Sequence, residues 1–262
     1  MKVTPIKTAI VKVHDDLFAF IKGSVKKIPE KGFLVISSKI VSYCQGRLQE
    51  KKDGSREEKH ALVRKEADLY LDPSESKYDV MLTIKNHLLA VSSGIDESNS
   101  VDDQYILWPR KPQQTVNEIW HFLRKEYQVK EVGVIMTDSK TMPLRWGVIG
   151  TAIAHCGFQA LRDFIGKEDL FGRKMKMTQI NVAEAVAVAA VLEMGETNEQ
   201  QPLCLVEGVS LAKFQDRAPT DKELADLVIE LEDDIYGPVL NSVNWKKGWL
   251  ACWRKKLDRA CS

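Results

Sequence analysis

LRDFIGKEDLFGRKMKMTQINVAEAVAVAAVLEMGE, residues 161–196, ends in an alanine-rich apolar run, Val182–Met194. Alanine is the strongest helix former, so the run predicts a helix. Asn181 and Glu184 stand where its first turn needs side-chain partners, and Gly195 stands where it must stop. Outward from this block, short apolar runs bounded by glycine or charged residues predict buried strands at 33–36, 132–136 and 203–206. Thr115 and Glu118 form a capping-box pattern ahead of Val116, Ile119, Trp120, Leu123 and Tyr127, which share a helical face. Thr220 and Glu223 repeat the box ahead of Leu224, Leu227, Val228, Leu231 and Ile235. Residues 49–60, QEKKDGSREEKH, are almost wholly polar around Asp53-Gly54 and predict a solvated turn or hairpin tip. Strands and helices alternate, so the expected fold is mixed α/β (α+β). The expected division is a main domain over 1–215 and a C-terminal helical extension over 216–262.

The 262 residues suffice to bury a large core. Lysine plus arginine number 38 against 37 acidic residues, a net charge of +1, which gives no global field for nucleic acid or an acidic membrane. No run is apolar for long enough to cross a bilayer, and the N-terminus lacks a signal-peptide pattern. The cysteines are Cys44, Cys156, Cys204, Cys252 and Cys261, with no C-x-x-C pair. An odd count without pairing motifs implies reduced thiols and a cytoplasmic location. His155-Cys156 invites a base-and-nucleophile reading, but sequence neighbours rarely face each other, so both are read as structural. Trp245, Trp249 and Trp253 recur at helical spacing among lysines. They read as an aromatic stripe packed on the main body, in preference to a membrane or single-strand contact.

Three acidic residues stand at places where folds bind ligands. Asp96 lies in SSGIDESNS, after the apolar run Leu88–Val91. Asp138 lies in VIMTDSK, at the end of a strand-like run, where α/β sheets open their crevices. Glu196 follows the end of the alanine-rich helix, whose dipole favours a nearby cation. Separated carboxylates of this kind can supply oxygen ligands to magnesium or manganese. Each also fits a plainer role, capping a helix or ending a strand. Lys39, between hydroxyls in ISSKIVS, can meet a phosphate as a point charge or sit at the surface. There is no G-x-x-x-x-G-K-[ST] and no G-x-G-x-x-G, so P-loop and Rossmann readings have no support.

Taken in order, ISSKIVSYCQGRL, SSGIDESNS, MTDSKTMPLRWG, the block at 161–196 and PLCLVEGV resemble the coenzyme F-420 gamma-glutamyl ligases. The likeness runs from about Val11 to about Val209 and is most specific from DLFGR to MGE. It implies a ligase that activates a carboxylate with GTP (or ATP), through an acyl phosphate, and joins it to L-glutamate as an amide. It implies Mg2+ or Mn2+ held by Asp96, Asp138 and Glu196, with Ser139 as a hydroxyl ligand. It implies nucleotide contacts from Asn99, from Ser38 and Lys39, and from the turn at Gly195. It further implies an intertwined homodimer that is not an ATP-grasp fold. No side chain is singled out as catalytic.

The sequence also departs from the family's pattern. T-D-T-F-G-R-P-W-R is here TDSKTMPLR at 137–145, and G-Q-T-D is GVIG at 147–150. The acidic residue of E-G-R is Gln45, and the aspartate of V-A-D-E-L-A is Glu184. Altered polar positions around retained acidic ones fit a changed acceptor, so both the F-420 precursor and a folate are open. A non-catalytic metal- or nucleotide-binding module is the alternative reading.

Overall fold

In the computed structural model, which describes residues 1–249, the chain is a mixed α/β protein. The strands are β1 Lys2–Ile6, β2 Gly32–Ser37, β3 Leu48–Gln49, β4 Leu69–Tyr70, β5 Leu82–Lys85, β6 Leu88–Val91, β7 Tyr105–Ile106, β8 Val132–Thr141, β9 Val148–Cys156, β10 Leu161–Asp163, β11 Gln179–Asn181, β12 Leu203–Glu207 and β13 Lys246–Lys247. The helices are α1 Leu17–Ser24, α2 Ser38–Cys44, α3 Arg56–Glu66, α4 Pro112–Tyr127, α5 Val182–Met194, α6 Asp221–Ala225 and α7 Gly237–Leu240. They form two compact units, each assembled from separated stretches of chain.

The first unit comprises Met1–Gly46, Pro109–Ser139 and Val148–Leu227. Its five-stranded sheet has the order β1-β12-β2-β8-β9. β12 runs antiparallel to both β1 and β2, while β2 and β8 are parallel. Side chains alternate across the pleat, and here both faces are covered. Leu34, Ile36, Val134 and Met136 face a core that includes Ile21 of α1 and Val116, Ile119, Trp120 and Leu123 of α4. Phe33, Val35, Ile135 and Val206 face the opposite core, built on Val182, Val186, Ala190 and Met194 of α5. Double-sided burial is why these strands read as continuous apolar runs in the sequence. β1 occupies an edge, where Pro5 removes no ladder bond that the interior of the sheet needs.

The second unit comprises Arg47–Trp108, Lys140–Gly147 and the described chain from Val228 onward. It holds a four-stranded sheet, β13-β4-β5-β6, antiparallel throughout, and the short pair β3-β7. Its apolar core is small: Val63, Met81, Ile95, Tyr105 and Leu107. Beside that core lies a buried ion cluster. Glu66, the last residue of α3, accepts from Arg47 at 2.8 Å and from Lys85 at 2.9 Å. Burial alone would raise the Glu66 carboxyl, but Lys85 and Arg47 together hold it below its ordinary value.

Several elements differ from the sequence expectation. α4 starts at Pro112, not at Thr115. Proline's fixed φ and missing N–H suit a first helical position. Thr115 lies inside the first turn, buried, with its hydroxyl bonded to the Lys111 carbonyl. The polar stretch 49–60 is a turn only as far as Gly54; Ser55 then caps α3. The Thr220–Glu223 capping box forms, yet α6 ends at Ala225 and does not continue to Ile235. Glu230, Glu232, Asp233 and Asp234 would stack like charges on successive turns of a longer helix. Trp245 and Trp249 do not share a helix, because β13 and the buried Gly248 lie between them. Trp253 lies outside the described residues. No helix among the described residues is long and apolar enough to cross a membrane.

Candidate functional site

In the first unit, three of the singled-out segments meet at one end of the sheet. β2 and β8 are parallel, and their paired register ends at Ser37 opposite Thr137. The chain leaves β2 directly into α2, so Ser38 and Lys39 stand at that end, with the Ser37 hydroxyl accepting from the Lys39 amide at 3.3 Å. Ser38 is buried and Lys39 half-buried. β8 runs on past its partner through Asp138 and Ser139, both half-buried. Asp138 Oδ1 accepts from the Ser139 amide at 2.9 Å. The third segment is the loop 195–202. It leads into β12, which is antiparallel to β2, so it arrives at the same end, where the Pro202 carbonyl accepts from the Ser37 amide at 2.9 Å.

That loop begins as the sequence implied. Asn181 caps α5 by accepting from the Glu184 amide at 3.0 Å. Gly195 closes the helix at φ 80°, which a side chain would resist, and its amide still bonds to the Val191 carbonyl. A Cβ at Gly195 would strike the Glu199 carboxylate. Glu199 is committed to the loop's own closure, accepting from the Thr197 amide at 2.8 Å and hydroxyl at 2.9 Å. Glu196, the candidate ligand, is exposed.

Asp96 and Asn99 belong to the second unit. Asp96 follows β6 as expected and bridges Ile106 through two backbone bonds of 2.9 and 2.8 Å. Its Oδ1 accepts from the amides of Glu97 at 2.6 Å and Ser98 at 2.8 Å. Asn99 is exposed at φ 53°, in the left-handed region that asparagine tolerates. Among the described residues, no group of three or more His, Cys, Asp or Glu side chains is gathered as a metal cluster.

Residues 5–208 match the family described as F420-0:Gamma-glutamyl ligase. The chain belongs to this family. It is 30% identical over 214 residues to the coenzyme F420:L-glutamate ligase of Archaeoglobus fulgidus, covering 78% of this chain and 85% of that protein. It is 33% identical to the namesake of Methanocaldococcus jannaschii over 60% of each chain. It is 33% identical to that of Methanopyrus kandleri over 52% of this chain and 54% of that one. The alignments with the two methanogen proteins thus span little more than half of their length.

Within the ligase family, the departures in this chain acquire physical content. Gln45 closes the start of α4: its Oε1 accepts from the Arg110 amide at 2.7 Å, while its Nε2 donates to the Arg110 carbonyl at 3.2 Å. A carboxylate could make only the first of these bonds. In GVIG, Gly150 lies where β9 and α5 approach, and a Cβ there would meet the Ala187 carbonyl oxygen at 2.5 Å. The glycine is thus required by helix-on-strand packing. Glu184 accepts from the buried Thr151 hydroxyl at 3.0 Å, so the longer acid in α5 is tied to the neighbouring strand. None of these partners could be named from the sequence, because each pair is separated by 30 residues or more.

His155 and Cys156 are structural, as read. Both are buried; burial pulls the imidazole down to about 4 and pushes the thiol up to about 12. A thiol so raised is not a nucleophile near neutral pH.

Proposed function

We propose that this chain is an enzyme that joins L-glutamate to a carboxylate acceptor as an amide, with GTP or ATP as activating co-substrate. The observation that carries the reading is the family match over residues 5–208, which includes every candidate site residue named above. The acceptor's carboxylate oxygen attacks the γ-phosphorus, the nucleoside diphosphate leaves, and an acyl phosphate results. The glutamate amine then attacks the acyl carbon, inorganic phosphate leaves, and the amine proton passes to solvent.

Asp96, Asp138, Ser139 and Glu196 are the proposed ligands of Mg2+ or Mn2+. All four present oxygen atoms, the donors these ions prefer. When bound, the ion neutralises charge on the triphosphate. Ser38, Lys39, Asn99 and the turn at Gly195 are the proposed nucleotide contacts, with Lys39 offering a point charge to phosphate. The acceptor is coenzyme F-420-0 or a folate. The relatives' names favour the first, and the altered positions at Gln45 and 147–150 leave room for the second. The enzyme works in the cytoplasm as a homodimer.

The test gives the purified protein GTP or ATP, manganese, glutamate and each acceptor separately. Mass spectrometry then looks for the addition of a glutamyl unit. Addition to at least one acceptor is expected. Nucleotide binding with addition to neither would replace the ligase by a non-catalytic binding module.

A further inference from the structure

The loop after β6 is wound against ordinary backbone preference. Ser92, Ser93, Asn99, Asp102 and Asp103 have φ of 51°, 55°, 53°, 56° and 52°. Left-handed backbone is costly for an L-residue, somewhat less so for Asn and Asp, and persists only where surroundings over-determine it. Part of the hold is internal. The Thr83 hydroxyl accepts from the Ser93 amide at 2.9 Å, and Asp96 is bridged to Ile106.

A second part of the hold is electrostatic and comes from outside the loop. Lys51 Nζ lies 2.8 Å from the Glu97 carboxylate and 2.6 Å from that of Asp103. Lys59 Nζ, on α3, lies 2.5 Å from the other Glu97 oxygen. Lys51 is unusually enclosed for a lysine, with its side chain 15% exposed and its ammonium 5.2 Å from the centroid of the Tyr105 ring. An isolated exposed ion pair contributes little, but a shared carboxylate between two cations, one of them enclosed, resists both solvent and side-chain freedom better. The contacts grip the two ends of the span 97–103. That span adjoins Asp96 and contains Asn99.

We propose that Lys51 and Lys59 are positioning residues: through Glu97 and Asp103 they hold Asp96 and Asn99 in the conformation that takes metal and nucleotide. The inference rests on the roles proposed above for Asp96 and Asn99. Neither lysine touches the reacting groups; both act through the loop.

The test uses the full chain in three forms: Lys51→Met with Lys59→Met, Lys51→Arg with Lys59→Arg, and Asp96→Asn. Amide hydrogen exchange over residues 92–106 is measured without ligand, and the Kd for GTP is measured with manganese. The methionine pair should speed exchange in that span by about tenfold while β2 and β8 exchange as in the wild type. It should also weaken manganese-dependent GTP binding by about tenfold, at the low end of what outer partners of metal ligands contribute. The arginine pair should restore both. Wild-type exchange in the methionine pair, or faster exchange with unchanged affinity, overturns the inference alone, provided Asp96→Asn does weaken binding. Wild-type affinity in Asp96→Asn removes the role of Asp96, and the inference with it. Should the methionine pair not fold, Glu97→Gln, which keeps the side chain's shape, carries the same comparison.

Discussion

His155 is a buried group whose charge state the fold decides. Desolvation holds its folded pKa near 4, below the ordinary 6.5. As pH falls below 6.5 the unfolded chain takes up a proton that the folded chain refuses, so stability falls until pH approaches 4. The whole shift is worth on the order of 3 kcal/mol. His155→Leu removes the titration. Between about pH 7.5 and about pH 5, the wild type should lose about 2 kcal/mol more stability than the variant, read from urea midpoints. Parallel loss in the two proteins would mean that His155 charges freely in the native state. In the sequence its structural role rests only on its adjacency to Cys156; its place inside β9 and its buried environment were not legible. The same holds for Gln45 and Gly150. The sequence displays the altered letter but not the Arg110 backbone or the Ala187 carbonyl that each one meets.

Elements were legible where local chemistry and burial agree. α5 is bounded by the Asn181 cap and Gly195, and the strands at 33–36, 132–136 and 203–206 lie inside β2, β8 and β12. They failed where a competing signal was stronger. Pro112 outranked the Thr115 box, and the charged face of α3 concealed a helix whose buried residues are only His60, Val63 and Glu66. Glu66 supplies the element-scale prediction. It joins the end of α3 to Lys85 at the end of β5 and to Arg47, all three side chains being largely buried. Glu66→Ala would leave two cations facing each other in a poorly solvated place. Breaking such a cluster costs about 3–5 kcal/mol. The expected result is a lower melting temperature with early exchange of amides in β4, β5 and α3. Loss below about 1 kcal/mol would mean that water reaches the cluster and substitutes for the carboxylate.

At the scale of the whole molecule, neither unit is a continuous segment, so no composition shift along the chain could announce their boundaries. The apolar arm between β10 and β11 was equally hidden, because Leu170, Phe171 and Met177 look in sequence like core residues. They are instead 92%, 78% and 82% exposed. The arm is not loose. Asp169 accepts from the amides of Phe171 at 2.8 Å and Arg173 at 2.9 Å, and its own amide bonds to the Arg173 carbonyl at 2.8 Å. A turn so fully bonded presents Leu170 and Phe171 outward by construction. Apolar side chains held out on an ordered arm are an expected place for a partner surface to dock. In a two-fold dimer the arm's contact occurs twice, once from each copy, which suits the proposed homodimer. A stable interface needs about 800 Å² from each partner, more than the arm's tip can supply, so neighbouring surface must join it. The wild type should therefore be a dimer by light scattering at micromolar concentration. Leu170→Lys with Phe171→Lys should shift it to monomer while the circular dichroism of the sheet is retained, since both side chains lie outside the cores of the first unit. A monomeric wild type would remove the homodimer. A dimer that survives both lysines would move the interface away from this arm.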